Sequence, residues 1–203
     1  KEEISKTVTN IDLSAADDMR IGSNNTGSAN FFNGYIANVA IWQGTALSVD
    51  QVRQTMSANS YAVTNSVAAL RGYWQLVDDY NDDAGTQNGT NSGSVLSPVQ
   101  VRLPLGYDSS GNVNNAFPLA ARVTTLDGAA DYITCGAGID VSSTGGSMSA
   151  WVKPLAINGG AQVIFETTGS GNRLSLQMNN AVFQVSWYPT ATYRGVSSVA
   201  VQS

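Results

Sequence analysis

Two short runs of alternating apolar and polar residues lie one after the other near the end of the chain. Leu174 and Leu176 share one face of the first run, and the second run continues the alternation from residue 181 to residue 187. A period of two residues is typical of a β-strand with one face on a core. Asn179 and Asn180 separate the runs, and asparagine tolerates the left-handed backbone of a two-residue hairpin turn. The segment therefore predicts a β-hairpin, which needs further strands to bury its apolar face.

The rest of the chain repeats this pattern in short strands bounded by turn residues. The one clear helix is predicted at residues 49–56, because Ser48 and Gln51 have the spacing of a capping box. Many short strands, frequent turns and little helix predict an all-β protein built as an antiparallel β-sandwich or jelly roll. The main predicted strands lie at residues 31–42, 68–77, 123–126, 131–135, 147–153, 162–167, 173–178 and 181–187.

Two separate parts of the chain resemble the laminin-G-like, concanavalin A-like jelly-roll family. Residues 126–133 (L-D-G-A-A-D-Y-I) and residues 148–154 (M-S-A-W-V-K-P) resemble the first half of such a domain. Residues 32–42 (F-N-G-Y-I-A-N-V-A-I-W), followed by the capped helix, resemble its last third. The resemblance implies an antiparallel jelly-roll sandwich with one short helix, and a family in which loop carboxylates and carbonyls often bind calcium.

The closing part of the family pattern comes first in this chain, and the opening part comes last. This order predicts that residues 1–58 are the C-terminal part of one jelly roll and that residues 67–203 begin a second, with a connector at 59–66. One permuted jelly roll over residues 1–203 is the alternative, and strand exchange between neighbouring chains is a third. Because a half-sandwich exposes its apolar face, each partial domain needs something to complete it.

The composition narrows the class of protein. Charged residues make up 12% of the chain, about half of the usual share of roughly 25%. A polar surface with so little charge favours an extracellular or virion-surface location. The net charge of -5 argues against a nucleic-acid partner, and no apolar run approaches the length of a membrane span. Cys135 is the single cysteine, so we expect a buried strand residue and no intrachain disulfide.

The acidic residues argue against catalysis. Glycoside hydrolases of this fold need two suitably placed carboxylates, one as acid and one as nucleophile or base. Glutamate occurs only at positions 2, 3 and 166, and Glu166 stands alone in its predicted strand. The chain also lacks histidine, which removes histidine-based triads and metal sites. We therefore expect a protein that is not an enzyme.

Calcium is a candidate cofactor because one polar tract concentrates oxygen ligands. Aspartates are crowded near its start, although no glutamate closes an EF-hand loop. The alternative is a solvated acidic loop without a metal. The candidate calcium ligands are Asp78, Asp79, Asp82 and Asp83.

Sugar binding requires an exposed aromatic ring and side chains that hydrogen-bond hydroxyl groups. Trp187 falls on the apolar face of its predicted strand, where core packing is the alternative, whereas Tyr188 falls on the opposite face. The nominated ligand-binding residues are Tyr188, Asn179, Asn180 and Trp187.

Two functions follow as expectations. The first is a non-catalytic, lectin-like binding and adhesion module that recognises glycan or another surface polymer through its loops. The alternative is a structural protein of a virion or particle surface, such as a phage capsid decoration or fibre component, that packs on neighbouring copies. The low charge and the single cysteine also fit the second.

Overall fold

A computed structural model of the chain describes residues 18–58, 61–67, 70–102, 120–137, 146–157, 159–169, 172–188 and 194–200. Within them the protein is mostly antiparallel β-sheet, which confirms the predicted all-β class. The helices are α1 (Val49–Ala58) and α2 (Tyr61–Val67). The strands are β1 (Met19–Ile21), β2 (Asn33–Gln43), β3 (Leu70–Trp74), β4 (Gly89–Ser92), β5 (Val95–Arg102), β6 (Ala120–Asp127), β7 (Tyr132–Cys135), β8 (Gly146–Pro154), β9 (Ala161–Gly169), β10 (Asn172–Asn179), β11 (Val182–Tyr188) and β12 (Arg194–Ala200).

The strands form two sheets. Sheet A has seven strands in the order β12-β11-β10-β9-β1-β7-β4. Sheet B contains β8, β2, β6, β5 and β3, with β2 at its centre. Residues 34–36 pair with β6 and β8 at once, and residues 40–42 pair with β3 and β8 at once, so β6 and β3 share one side of β2 and β8 occupies the other. Every strand pair that the structure describes is antiparallel.

Six chain connections cross between the two sheets: β1 to β2, β3 to β4, β4 to β5, β6 to β7, β7 to β8 and β8 to β9. Four of them link strands that follow the same order in each sheet, since β4, β7, β1 and β9 of sheet A are joined to β5, β6, β2 and β8 of sheet B. This correspondence, together with a core to which both sheets contribute, gives the molecule a β-sandwich-like character.

The main core is an apolar cluster between the sheets, and a smaller buried cluster contains Ala40, Trp42 and Tyr73. Successive strand residues point to opposite faces, so the strands that contribute to the main core do so largely with alternate residues. The largest fully buried side chains are aromatic and branched aliphatic, and their removal from water is the main stabilising contribution of the fold. The buried members of the cluster are Met19, Ile21, Ile133, Cys135, Ile164, Phe165 and Leu174 from sheet A, Ile36, Val39, Ile41, Trp74 and Leu126 from sheet B, and Phe32 and Leu76 from adjoining loops.

The N-terminal strands lie in the middle of both sheets. β1 pairs with β7 on one side and β9 on the other, and β2 pairs with β6 and β8. The segment from residue 32 to residue 42 therefore forms its ladder with later strands of the same chain. A bulge interrupts β2 at Asn38, which adopts a positive φ of 50°.

The helices differ in how well the sequence predicts them. α1 begins where the capping box places it, and Ser48 and Gln51 exchange the two reciprocal hydrogen bonds at 2.8 and 3.2 Å. The helix continues to Ala58, two residues beyond the predicted end. α2 occupies most of the predicted connector at 59–66, so the expectation of a single short helix was wrong. No helix among the described residues is long and apolar enough to cross a membrane.

Candidate functional site

A row of residues, polar except for a glycine at one edge, crosses the face of sheet A that points away from the core. The pairing register places one residue of every strand in this row, and the core residues Met19 and Ile21 flank its member in β1. We call it the polar row. Its members, from one edge of the sheet to the other, are Thr90, Thr134, Arg20, Glu166, Ser175, Ser186 and Gly195.

Glu166 is the one carboxylate of the polar row. Its Oε1 accepts a hydrogen bond from the main-chain N–H of Asn25 at 2.9 Å, and Arg173 Nη1 lies 3.9 Å from the same oxygen. The side chain of Glu166 is 3% exposed, whereas that of Arg173 is 36% exposed. Burial raises the pKa of Glu166, and the hydrogen bond from Asn25 and the charge of Arg173 only partly offset this rise.

Arg20 lies beside Glu166 in the same row. Its guanidinium stands over the ring of Tyr132, 5.3 Å from the centroid, and its Nη1 donates a hydrogen bond to the main-chain carbonyl of Asn25. Its Nε donates to Thr134 Oγ1 at 3.4 Å. Arg20 and Glu166 therefore hold the same residue of the loop between β1 and β2, one by its carbonyl and the other by its N–H.

This loop, residues 22–32, is braced internally and fixed at its base. Asn24 Oδ1 accepts hydrogen bonds from Thr26, Ser28 and Ala29 at 3.1 to 3.2 Å. At the base, the main-chain N–H of Gly22 donates to the carbonyl of β9 residue Ile164 at 2.8 Å. The loop is thus a preformed polar surface seated on the polar row, with the hydroxyl groups of Thr26 and Ser28 exposed and hydrogen-bonded to each other.

The nominated sugar-binding residues lie at opposite ends of one hairpin. β10 and β11 form the predicted hairpin, but its turn residues are Asn180 and Ala181, with φ values of 48° and 64°, and Asn179 pairs with Val182. The turn is therefore one residue later than predicted, because Asn179 still belongs to the ladder.

At the other end of this hairpin, the register places Tyr188 opposite Arg173, and Trp187 opposite the core residue Leu174. The structure thus separates the nominated asparagines from the nominated aromatic residues. It places Tyr188 next to the polar row, at a register position beside Arg173.

The four candidate calcium ligands have different environments. Asp82 is buried, and its carboxylate accepts main-chain hydrogen bonds from Tyr73 at 2.9 Å, Ala84 at 3.1 Å and Gln87 at 3.2 Å. Asp79 is exposed and accepts hydrogen bonds from Asn81.

The remaining two aspartates, Asp78 and Asp83, are also exposed. Partial burial, with the charge of Asp79 as a further cause, raises the pKa of Asp83. Among the described residues no group of three or more Asp, Glu, Cys or His side chains is arranged to hold a metal ion. Asp82 organises the loop, and calcium binding here stays a prediction.

A second polar cluster lies on the outer face of sheet B, beneath the helices. The hydroxyl of Tyr73 donates to Asn38 Oδ1 at 3.0 Å, and Thr55 of α1 and Thr64 of α2 line a small pocket with them. Burial raises the pKa of Tyr73 to about 12. This phenol stays protonated at neutral pH and is already hydrogen-bonded. Because the cluster joins residues of the sheet to residues of both helices, we interpret it as a structural contact that holds the helices on the sheet.

Most members of the polar row escaped the sequence analysis. The alternation gave a usable indication, since Ser175 lies between Leu174 and Leu176 and so faces away from the core. The missing information was register, because strands far apart in sequence meet in this row. Comparison of the chain with protein-family models, with curated proteins and with solved structures found no match.

Proposed function

We propose that the chain is a non-catalytic, lectin-like binding module that recognises glycan or another surface polymer on the outer face of sheet A. The observation that carries this proposal is the accessible part of the polar row, where Thr90 is exposed and Thr134 and Arg20 are half-buried. The row is buried at Glu166, Ser175 and Ser186, so these members support the surface from below. Hydroxyl and guanidinium groups are the donors and acceptors that match sugar hydroxyl groups. The module would act outside the cell or on a virion surface, as the low charge of the chain favours.

The chemistry of the row supports binding without hydrolysis. Hydrolysis of a glycosidic bond uses a pair of carboxyl groups, and the row contains only Glu166. This carboxylate is buried and already accepts a hydrogen bond from Asn25. The members of the row with greater exposure are Thr90, Thr134 and Arg20, whose hydroxyl and guanidinium groups bind without reacting.

We also propose that residues 1–203 form one permuted jelly roll of the laminin-G-like, concanavalin A-like type. The support is the central position of β1 and β2, which pair with β6, β7, β8 and β9. A strand order in which the N-terminal strands fill gaps left by later strands is what permutation produces.

The structural virion or particle protein remains the second candidate. Leu155 and Ile157, in the segment after β8, are 53% and 43% exposed. Neighbouring exposed apolar side chains favour a contact with another protein. This candidate predicts an assembly of copies instead of a monomer that binds glycan.

A glycan array tests the proposed function. We expect the chain to bind at least one glycan class, and we expect Arg173→Gln to weaken that binding at least tenfold, because the side chain of Arg173 is 36% exposed beside the row. Arg53→Gln is the matched control, since Arg53 lies on the exposed face of α1 in a surface ion pair with Asp50. Absence of binding to every glycan, or equal binding by both variants at equal thermal stability, would contradict the proposal.

A further inference from the structure

The loop between β1 and β2 carries a pair of exposed hydroxyl groups at its tip. Thr26 Oγ1 and Ser28 Oγ lie 2.6 Å apart, and both residues are exposed. Thr26 Oγ1 also lies 3.1 Å from Asn24 Oδ1. Because the main-chain N–H groups of Ser28 and Ala29 donate to the same Asn24 atom, that atom is the amide oxygen, which can only accept.

These contacts fix the order of the hydroxyl protons. Thr26 has a single hydroxyl proton, and it must donate that proton to Asn24. The proton of Ser28 must then lie between the two hydroxyl groups. Since a hydroxyl oxygen has two lone pairs, Ser28 Oγ keeps both and Thr26 Oγ1 keeps one. The pair therefore presents hydrogen-bond acceptors to a ligand, while its protons are already used within the loop.

The acceptor pair is held in place from below. Arg20 and Glu166 bind the carbonyl and the N–H of Asn25, the residue before the pair. Gly27, between the two hydroxyl residues, has a positive φ of 65°, and a Cβ at this position would lie 2.8 Å from Cζ of the Tyr132 ring. A site that is ordered before binding loses less conformational freedom when the ligand arrives.

We propose that the hydroxyl pair of Thr26 and Ser28 binds a neutral sugar unit, whose own hydroxyl groups donate to it. This inference rests on the proposed glycan binding at sheet A and adds the ligand class and the contact residues. Neutral sugars carry adjacent hydroxyl groups that supply donors for such a pair. A carboxylate or sulfate group has no proton to donate at neutral pH, so the acceptor atoms of the pair would repel it.

The alternative ligand is an acidic sugar bound by the arginines of this face. Both guanidinium groups already have partners, since Arg20 donates to the carbonyl of Asn25 and Arg173 lies 3.9 Å from Glu166. The exposed carboxylate of Asp18 directly precedes β1, two residues from Arg20 in sequence. An acidic ligand near Arg20 would meet this negative charge as well, so the local charges favour a neutral sugar.

Binding of the full chain to immobilised polysaccharides tests the ligand class. The probes are neutral polymers of glucose, mannose and galactose, and polymers of glucuronate, mannuronate and galacturonate matched to them in linkage. Each matched pair differs only in the group at the last carbon of the sugar. We expect at least one neutral polymer to bind at least threefold more tightly than its acidic counterpart.

Ser28→Ala tests the contact residues. It removes the hydroxyl group that keeps both lone pairs and retains the main-chain N–H that donates to Asn24. We expect binding of the neutral polymer to weaken about fivefold, with an unchanged unfolding temperature. Thr86→Val is the matched control, because Thr86 is an exposed hydroxyl residue in the loop between β3 and β4, and it should bind as the natural chain does.

Gly27→Ala tests positioning without removing a hydroxyl group. The positive φ and the Tyr132 ring both disfavour a Cβ here, so we expect the loop to shift. Hydrogen exchange at the amides of Ser28 and Ala29 should become at least tenfold faster, and binding of the neutral polymer should weaken as it does in Ser28→Ala. Faster exchange with binding of natural strength would contradict the positioning role.

The outcomes separate this inference from the proposed function. Equal or tighter binding of the acidic polymers would overturn the ligand class, and unchanged binding by Ser28→Ala would overturn the contact residues. In both cases the chain would still bind glycan. Failure of every probe would overturn the inference as a whole, and the glycan array would then decide separately whether the proposed function fails with it.

Discussion

The outer faces of the two sheets both bury polar groups, but they hold them in different ways. On sheet A, the buried carboxylate of Glu166 has one main-chain donor, from Asn25, and a cation 3.9 Å away. Beside sheet B, in the loop between β3 and β4, the buried carboxylate of Asp82 has three main-chain donors. On the outer face of sheet B, the phenol of Tyr73 is neutral and hydrogen-bonded to Asn38. The segments that bury these two groups also differ, since a polar loop lies over Glu166 and two helices lie over Tyr73.

This difference indicates which buried polar positions should tolerate substitution. A buried group with several fixed main-chain partners organises its surroundings, and its removal leaves donors without acceptors. A buried carboxylate with few partners depends on protonation state and on a nearby cation. We therefore interpret the outer face of sheet B as structural, and the outer face of sheet A is where the proposed binding would take place.

The largest expected effect is on the sheet B side, at Asp82. Asp82→Ala leaves the N–H groups of Tyr73, Ala84 and Gln87 without their acceptor, and we expect a loss of about 2–3 kcal/mol in the free energy of unfolding. Asp79→Ala is the control, because Asp79 is exposed, and it should change stability by about 0.5 kcal/mol or less.

Urea unfolding of these two variants, in calcium and in EDTA, also separates loop organisation from metal binding. A structural role predicts the same loss for Asp82→Ala in both conditions. A loss of stability seen only in the presence of calcium would mean that the aspartates act through a bound metal, and it would confirm the calcium prediction.

Two buried tryptophans provide the next comparison. Trp42 and Trp74 are both 0% exposed, but Trp74 Nε1 donates to the carbonyl of Gln87 at 2.9 Å, whereas Trp42 Nε1 has no hydrogen-bond partner within the part of the chain that the structure describes. Replacement by phenylalanine removes similar volume at both positions and a hydrogen bond at only one. We expect Trp74→Phe to destabilise the fold by about 1 kcal/mol more than Trp42→Phe in urea unfolding. Equal losses would mean that Trp42 has a partner in solution.

The polar cluster beneath the helices should contribute less to stability at alkaline pH. Burial raises the pKa of Tyr73 to about 12, so the fold favours the neutral phenol and loses stability as pH rises from about 10 towards 12. Tyr73→Phe should cost about 1 kcal/mol at neutral pH, through the lost hydrogen bond to Asn38, and its deficit should narrow above pH 10. Thermal unfolding against pH measures this, and a constant deficit would contradict the raised pKa.

Local features of the sequence predicted much of this fold. The capping box at Ser48 fixed the start of α1, and the alternation in β10 and β11 identified both the hairpin and its core-facing side. Cys135 is buried in β7 as predicted. Trp42 and Trp74 are fully buried, whereas Trp151 of β8 is only half-buried.

Features that depend on distant partners escaped prediction. α2 consists of Y-A-V-T-N-S-V, in which β-branched and short polar residues have low intrinsic helix propensity. Tertiary contacts must therefore hold it, among them the hydrogen bond from Gln51 Nε2 of α1 to the carbonyl of Val67 at 3.0 Å. Asp82 and Asp79 look alike in sequence, and only the folded loop gives one of them three main-chain donors. Arg20 and Glu166 meet because β1 inserts between β7 and β9, a pairing that no local pattern encodes.

The smallest effect is expected on the sheet A side, at Glu166. Its pKa is raised above the usual value because burial disfavours the charged form, so the folded state binds the proton more tightly than the unfolded state. Stability from this group is therefore present at low pH and is lost as pH rises from the unfolded pKa through the folded pKa. Glu166→Gln cannot titrate, so its stability relative to the natural chain should increase over that range, as measured by urea unfolding.

Asp127→Asn is the control of opposite sign. Main-chain hydrogen bonds, that from Ala129 first, lower the pKa of Asp127, so its contribution is present above the unfolded pKa and is lost as pH falls through the folded pKa. The natural chain should therefore lose its advantage over Asp127→Asn on acidification, whereas it should gain on Glu166→Gln. The same slope for both variants would contradict the difference in environment between these two carboxylates. If the natural chain instead becomes more stable relative to Glu166→Gln as pH rises, Arg173 and Asn25 stabilise the charged carboxylate more than burial destabilises it. The loop that covers sheet A would then be held as firmly as the helices that cover sheet B.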